Sequence, residues 1–77
     1  MTTTLDKLHA CQFCIVVEIK ETVFAVFQRL LEMGFIEGAG IEVLGFAPLG
    51  DPMRLKIYDS VIAIRKSEAA LITVETI

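Results

Sequence analysis

RLLEMGFIEGAGIEVLGFAPLGDP, residues 29–52, holds the end of one helix, a glycine-punctuated turn, one strand and a stiff corner. A glycine just past a helical run permits the left-handed conformation that stops a helix, and Gly34 stands in that place after Met33. The segment Phe35–Gly40 carries two further glycines and reads as a loop. Ile41–Ala47 reads as a strand. At the corner, Ala47-Pro-Leu-Gly-Asp-Pro52, the two prolines fix their φ angles and Gly50-Asp51 supplies the turn between them.

Upstream of this stretch, Val23–Met33 follows the helical period, with Thr22 as the expected N-cap. At about 100° per residue, Val23, Val26, Phe27 and Leu30 share one side, opposite Gln28, Arg29 and Glu32. Phe24 and Leu31 widen one flank of that stripe and Met33 the other. The apolar arc reaches about 180°, wider than the ~100° that a single buried face needs. Deep packing against a barrel accounts for the excess; so does a flank at Phe24 and Leu31 that meets another molecule. Further back, Cys11–Ile19 is rich in β-branched residues and reads as a buried strand. Leu5–Leu8 opens a first strand or short turn, and residues 1–4 read as a frayed polar tip.

Downstream, Met53–Tyr58 alternates, with Met53, Leu55 and Ile57 inward and Arg54, Lys56 and Tyr58 outward. Asp59-Ser60 is the expected turn, and Val61–Arg65 returns with Ile62 and Ile64 inward. In that register Ile57 faces Ile62, Leu55 faces Ile64, and Arg54 faces Arg65. Together with Lys56 the arginines form a small basic patch, whose plainer reading is a solvated face and whose sharper one is a seat for an acidic surface. Ser67–Ala70 reads as one helical turn capped by Ser67, and Leu71–Val74 as a last strand. Five short strands with one helical insertion after the first describe a small, mostly β domain, and a closed barrel removes exposed edges most economically.

Bulk properties narrow the function. Seventy-seven residues form one domain, residues 1–77. The chain is 55% hydrophobic, which shores up a small core or leaves apolar surface for a partner. A net charge of −3 argues against a nucleic-acid binder. No run approaches the ~18 apolar residues of a bilayer span. MTTTLDKLHA lacks the layout of a secretory signal, so a cytoplasmic protein is expected, with its two cysteines free.

The search for chemistry ends mostly in exclusions. Gly45–Gly50 has phosphate-loop spacing, but Asp51-Pro52 stands where Lys and Ser or Thr are needed. His9, Cys11 and Cys14 offer three metal ligands where a tetrahedral site wants four. On a strand Cys11 and Cys14 point apart, whereas His9 and Cys11 share a face and remain the candidate ligands for a divalent ion. A nucleophile with a poised base is absent from the pattern, so no enzymatic activity is expected.

Taken together, the motifs resemble the FeoA family of small cytoplasmic proteins of ferrous iron uptake. The matching pieces are Arg29-Leu-Leu-Glu-Met-Gly34, Gly38, Ile41-Glu-Val43 and Ala47-Pro-Leu-Gly-Asp-Pro52. Downstream they continue as Ala63-Ile-Arg-Lys-Ser-Glu-Ala69 and Ile72-x-Val74. They cover about two-thirds of the chain in the family's order. This resemblance implies an SH3-like β-barrel with a helix inserted after the first strand. It also implies a partner, the GTP-hydrolysing membrane transporter FeoB, through which alone the protein would meet a membrane. Where the family carries glycines, this chain has Cys11-Gln-Phe-Cys14 and Thr22–Phe27; the second departure favours a more apolar helix and a homo-oligomer.

The expected partner contacts are Phe24 and Leu31 on the helix, Leu49, Gly50 and Asp51 in the corner, and Arg54, Lys56 and Arg65 on the paired strands. No resident cofactor is expected, apart from the divalent ion at His9 and Cys11. The alternative function is a metal-binding or metal-sensing domain similar to the C-terminal domains of iron-dependent repressors.

Overall fold

The computed structural model describes residues 1–77. Its strands are β1 (Thr2–Thr4), β2 (Phe13–Ile19), β3 (Gly40–Phe46), β4 (Met53–Ile57), β5 (Ser60–Ile64) and β6 (Ile72–Thr76). Helix α1 (Phe24–Glu32) joins β2 to β3, α2 (Lys66–Ala69) joins β5 to β6, and a 3-10 turn covers Leu5–Lys7. All six strands form one antiparallel sheet in the order β1-β6-β2-β3-β4-β5.

Several expectations change here. The sheet has six strands, and its end strands β1 and β5 are not paired with each other, so it is not a closed barrel. Residues Thr2–Thr4 pair with Thr73–Glu75 of β6 instead of fraying, which makes the helix follow the second strand. The Met1 amine also pairs with the Glu75 carboxylate, and the Thr2 hydroxyl donates to Glu75 Oε1 at 3.1 Å. After only three residues Leu5 turns inward, and closure passes from strands to side chains. Leu5 and Leu8, Leu30 of α1 and Ala69 of α2 are buried with the inward residues of the strands. A fully buried leucine contributes about 1.5–3 kcal/mol, so these four plug the core that strand pairing leaves open.

Alternation within the sheet sets the inner face. Met53, Leu55 and Ile57 of β4 are buried while Arg54 and Lys56 are exposed, as the pattern requires. β2 also alternates: Cys14 and Val16 point in, Phe13, Ile15 and Val17 point out. The reading of Cys11–Ile19 as a buried strand is therefore corrected to a strand buried on one face. Register shifts after Val16 in β2 and after Val43 in β3 mark bulges that bend these two strands.

The β4–β5 turn lies at Tyr58-Asp59, with Ile57 opposite Ser60, Leu55 opposite Ile62 and Met53 opposite Ile64. That is a slip of two from the expected register. An even slip keeps every side chain on its face but changes its partner, so Arg54 stands beside Ala63 and not Arg65. Like charges are thereby kept from direct opposition. Tyr58 takes φ +53° to make the turn, a conformation that sequence rules assign to Asn, Asp or Gly.

α1 ends as its glycine foretold. The N–H of Phe35 donates to Leu30 O at 3.1 Å and that of Gly34 to Leu31 O at 3.0 Å. With Gly34 at φ +107°, these two bonds form a Schellman motif, sealed by the buried pair Leu30 and Phe35. The helix starts one residue later than expected. Val23 is the N-cap, its carbonyl accepting from Val26 and Phe27, and Thr22 makes no cap bond. Val23 is exposed, so the buried stripe narrows to Leu30 with half-buried Val26, Phe27 and Met33.

Candidate functional site

The corner Ala47–Pro52 is braced at three points. Gly50 N–H donates to Ala47 O at 2.7 Å and Ala47 N–H to Pro52 O at 3.0 Å. Asp51 Oδ1 accepts the N–H of Lys66 at 3.0 Å, fixing the corner to the first turn of α2. Gly50 needs its glycine because φ is +90°. The Asp51–Pro52 peptide is cis. Above this base Leu49 is 97% exposed, an apolar side chain held out by a rigid mount. The Lys66 ammonium lies 5.0 Å from the Phe46 ring centroid, a cation–π contact that ties α2 to the end of β3.

α2 is in turn fixed to α1 by an ion pair between Arg29 and Glu68. Glu68 Oε1 also accepts the N–H of Arg65 at 3.2 Å, so Arg65 and not Ser67 is the N-cap of α2. Corner, α2 and α1 form one connected unit. Phe24 at the start of α1 is 75% exposed, and Leu31 is 37% exposed. Leu31 lines a shallow recess between α1 and β2 with Phe27, Val17 and Ile19.

Arg54, Lys56 and Arg65 are all exposed. Lys56 stands between Glu42 of β3 and Val61 of β5 in the ladder. Arg65 shares a recess with Asp51 and Pro52, so one of the three basic residues meets the corner. Arg65 also lines a larger cleft with Arg29, Met33, Pro52, Ala63, Ser67 and Glu68. Leu31 lies outside both recesses. The sequence places Arg29 and Met33 on the helix and in the Arg29–Gly34 motif but not in a cleft, because no linear spacing reveals that α1 runs beside the end of β5.

His9 and Cys11 are exposed and lie in a turn before β2, not on a strand. Gln12 N–H donates to His9 O at 3.2 Å, and His9 N–H donates to Gln12 Oε1 at 2.6 Å. Cys11 takes φ +73°, so the shared strand face expected for this pair is not what places them. No group of three or more His, Cys, Asp or Glu side chains converges in a metal-holding arrangement. Cys14 is buried, and that burial pushes its thiol up to about 11.

A second apolar area lies beside β2. Phe13, Tyr58 and Ile77 are exposed around Gly40, whose missing side chain leaves a recess rimmed by Glu42 and Lys56. Its signal, alternation in β2, was masked by a run in which both faces are apolar.

The class is thus a small, mostly antiparallel β domain that presents apolar tips and basic side chains on a braced scaffold. A family model described as FeoA domain matches residues 3–76, and the chain belongs to this family. A curated relative is the Fe(2+) transport protein A/Fe(2+) transporter FeoB fusion protein of Porphyromonas gingivalis. It is 39% identical over 74 residues, which are 95% of this chain and 8% of that protein, so the chain corresponds to a small part of it. The solution structure of FeoA protein from Chlorobium tepidum matches with TM-score 0.88 and 35% identity, covering 96% of this chain and 70% of that one. Stenotrophomonas maltophilia FeoA complexed with zinc, described as an SH3 domain protein, matches with TM-score 0.83 and 26% identity over 95% and 89%. A manganese-dependent transcriptional repressor shares the fold alone, with TM-score 0.90 at 13% identity over 99% of this chain and 41% of that one.

Proposed function

We propose that this chain is a non-enzymatic, cytoplasmic accessory protein of ferrous iron uptake that binds and regulates a FeoB-type GTP-hydrolysing transporter. The observation that carries this reading is the Porphyromonas gingivalis relative, in which a similar domain and a FeoB transporter are one polypeptide. Fusion holds two modules at high effective concentration, which favours modules that act on each other. The contacts are Leu49, Gly50 and Asp51 at the corner, Phe24 and Leu31 on α1, and Arg54, Lys56 and Arg65 on the β4–β5 side. Leu49 and Phe24 are apolar anchors that gain by leaving water, while the basic side chains steer the encounter. The exposed flank of α1 also favours association between copies of this chain. No helix is long and apolar enough to cross a membrane.

GTP turnover by the transporter, measured with and without this protein, tests the reading. A change in turnover that Leu49→Asp with Arg65→Glu abolishes is the expected result. Unchanged turnover together with no retention of the transporter's cytoplasmic part would remove it.

A further inference from the structure

The outer edge of β5 is open. β5 pairs with β4 alone, and no backbone group of residues 60–64 hydrogen-bonds to any other segment. Its sequence, SVIAI, has no charge and no proline, and its pairing with β4 has no register shift. Those are the devices that normally blunt an edge against new strands. Ile57 and Ser60 close the two-residue turn as an opposed pair. Alternation then aims the backbone groups of Ser60, Ile62 and Ile64 at β4, and those of Val61 and Ala63 outward.

A cleft lies beside this open edge. Ala63 and Arg65 come from the β5 side, Arg29 and Met33 from α1, and Pro52, Ser67 and Glu68 complete the lining. The carboxylates nearby are already engaged: Asp51 by the Lys66 N–H, Glu68 by the Arg29 guanidinium and the Arg65 N–H. Arg65 and Arg54 make no ion pair, and Arg54 sits next to Ala63 across the ladder. On a chain of net charge −3, this is a local cationic rim along the unpaired edge of β5.

We propose that the cleft takes an extended acidic segment of a partner protein. The segment adds to β5 as a further strand and sets its carboxylates against Arg65 and Arg54. Main-chain bonds to Val61 and Ala63 provide affinity, and alternate side chains provide selection, as in other strand additions. The inference rests on the reading of the chain as a partner-binding protein and names the chemistry of the partner segment.

The probe is a fluorescein-labelled peptide alternating glutamate and valine, titrated into the isotope-labelled protein. Binding that shifts the amides of residues 61–65 is expected. It weakens about tenfold or more in Arg65→Glu, as for a lost charge-assisted contact, and is lost when alternate peptide nitrogens are methylated. Shifts confined to other segments, undiminished binding of the methylated peptide, or a dimer of this chain that consumes the β5 edge would each overturn it. Transporter turnover separates the two readings. If turnover responds to the protein while the peptide does not bind, the acidic-strand inference fails and the accessory reading stands. If the peptide binds at β5 but the transporter neither responds nor is retained, the accessory reading fails alone.

Discussion

The Asp51 carboxylate accepts the backbone N–H of Lys66 at 3.0 Å, so the corner carrying Leu49 and the helix that faces α1 are one mechanical piece. Asp51 sits beyond the first residue of α2, where a carboxylate satisfies an orphan donor and opposes the positive end of a helix. Asp51→Ala is expected to lower stability by about 1 kcal/mol in urea denaturation, whereas Asp51→Asn retains most of it, because its amide oxygen still accepts.

Gly34 and Gly45 give a matched test of backbone freedom. Gly34 has φ +107°, and a Cβ there would lie 3.3 Å from Ile57 Cδ1. Gly34→Ala should cost about 1–2 kcal/mol, from left-handed strain and a displaced core side chain. At Gly45 an added Cβ meets nothing within 4 Å, and φ is not positive. Gly45→Ala should therefore change the urea midpoint little, within the ~0.5 kcal/mol of an ordinary surface change.

The two thiols should separate on labelling. Cys11 is exposed and Cys14 buried, so a thiol reagent at pH 8 is expected to modify one cysteine per native chain and two after denaturation. The pH dependence follows from the raised Cys14 value. A group whose folded pKa lies above its unfolded one stabilises fully below the unfolded value, and that contribution disappears as pH rises through the folded one. Between pH 9 and about 11 the fold should thus lose up to about 2–3 kcal/mol, and Cys14→Ala should lack this alkaline step. Glu75 works in the opposite sense. The hydrogen bond from the Met1 amine, then that from the Thr2 hydroxyl, then the charge of the amine hold its carboxyl below its ordinary value. Its contribution is present above the unfolded pKa and is lost as pH falls.

Leu30 and Leu49 are expected to divide stability from recognition. Leu30 is fully buried, and Leu30→Ala should cost about 2–5 kcal/mol in thermal or urea unfolding. Leu49 makes no such contribution at 97% exposure. Leu49→Asp should stay within ~0.5 kcal/mol of the parent while weakening retention of the transporter's cytoplasmic part.

Much of this architecture could be read from residue spacing. The Met33-Gly34 stop, the alternation of Met53–Ile57 and the glycine in the corner each obey a local rule, and each holds. What local rules miss is set by pairing. Thr2–Thr4 has no apolar signature, and only β6 makes it a strand. Tyr58 occupies a turn position that propensity would deny it, which hid the true turn and displaced the register by two. The same blindness covers the candidate site. Leu49 and Arg65 stand out in the sequence, but the cleft joins Arg29 to Ala63 across 34 positions, a distance no periodicity spans.

The Met1 amine and the Glu75 carboxylate meet, so entry to and exit from the domain lie side by side. A short linker could join these two points, and new ends could be opened at the exposed Glu37-Gly38 turn without cutting a strand. Such a circular permutant would keep every ladder of the sheet while moving a tether, or a fused neighbour, to the opposite side of β2.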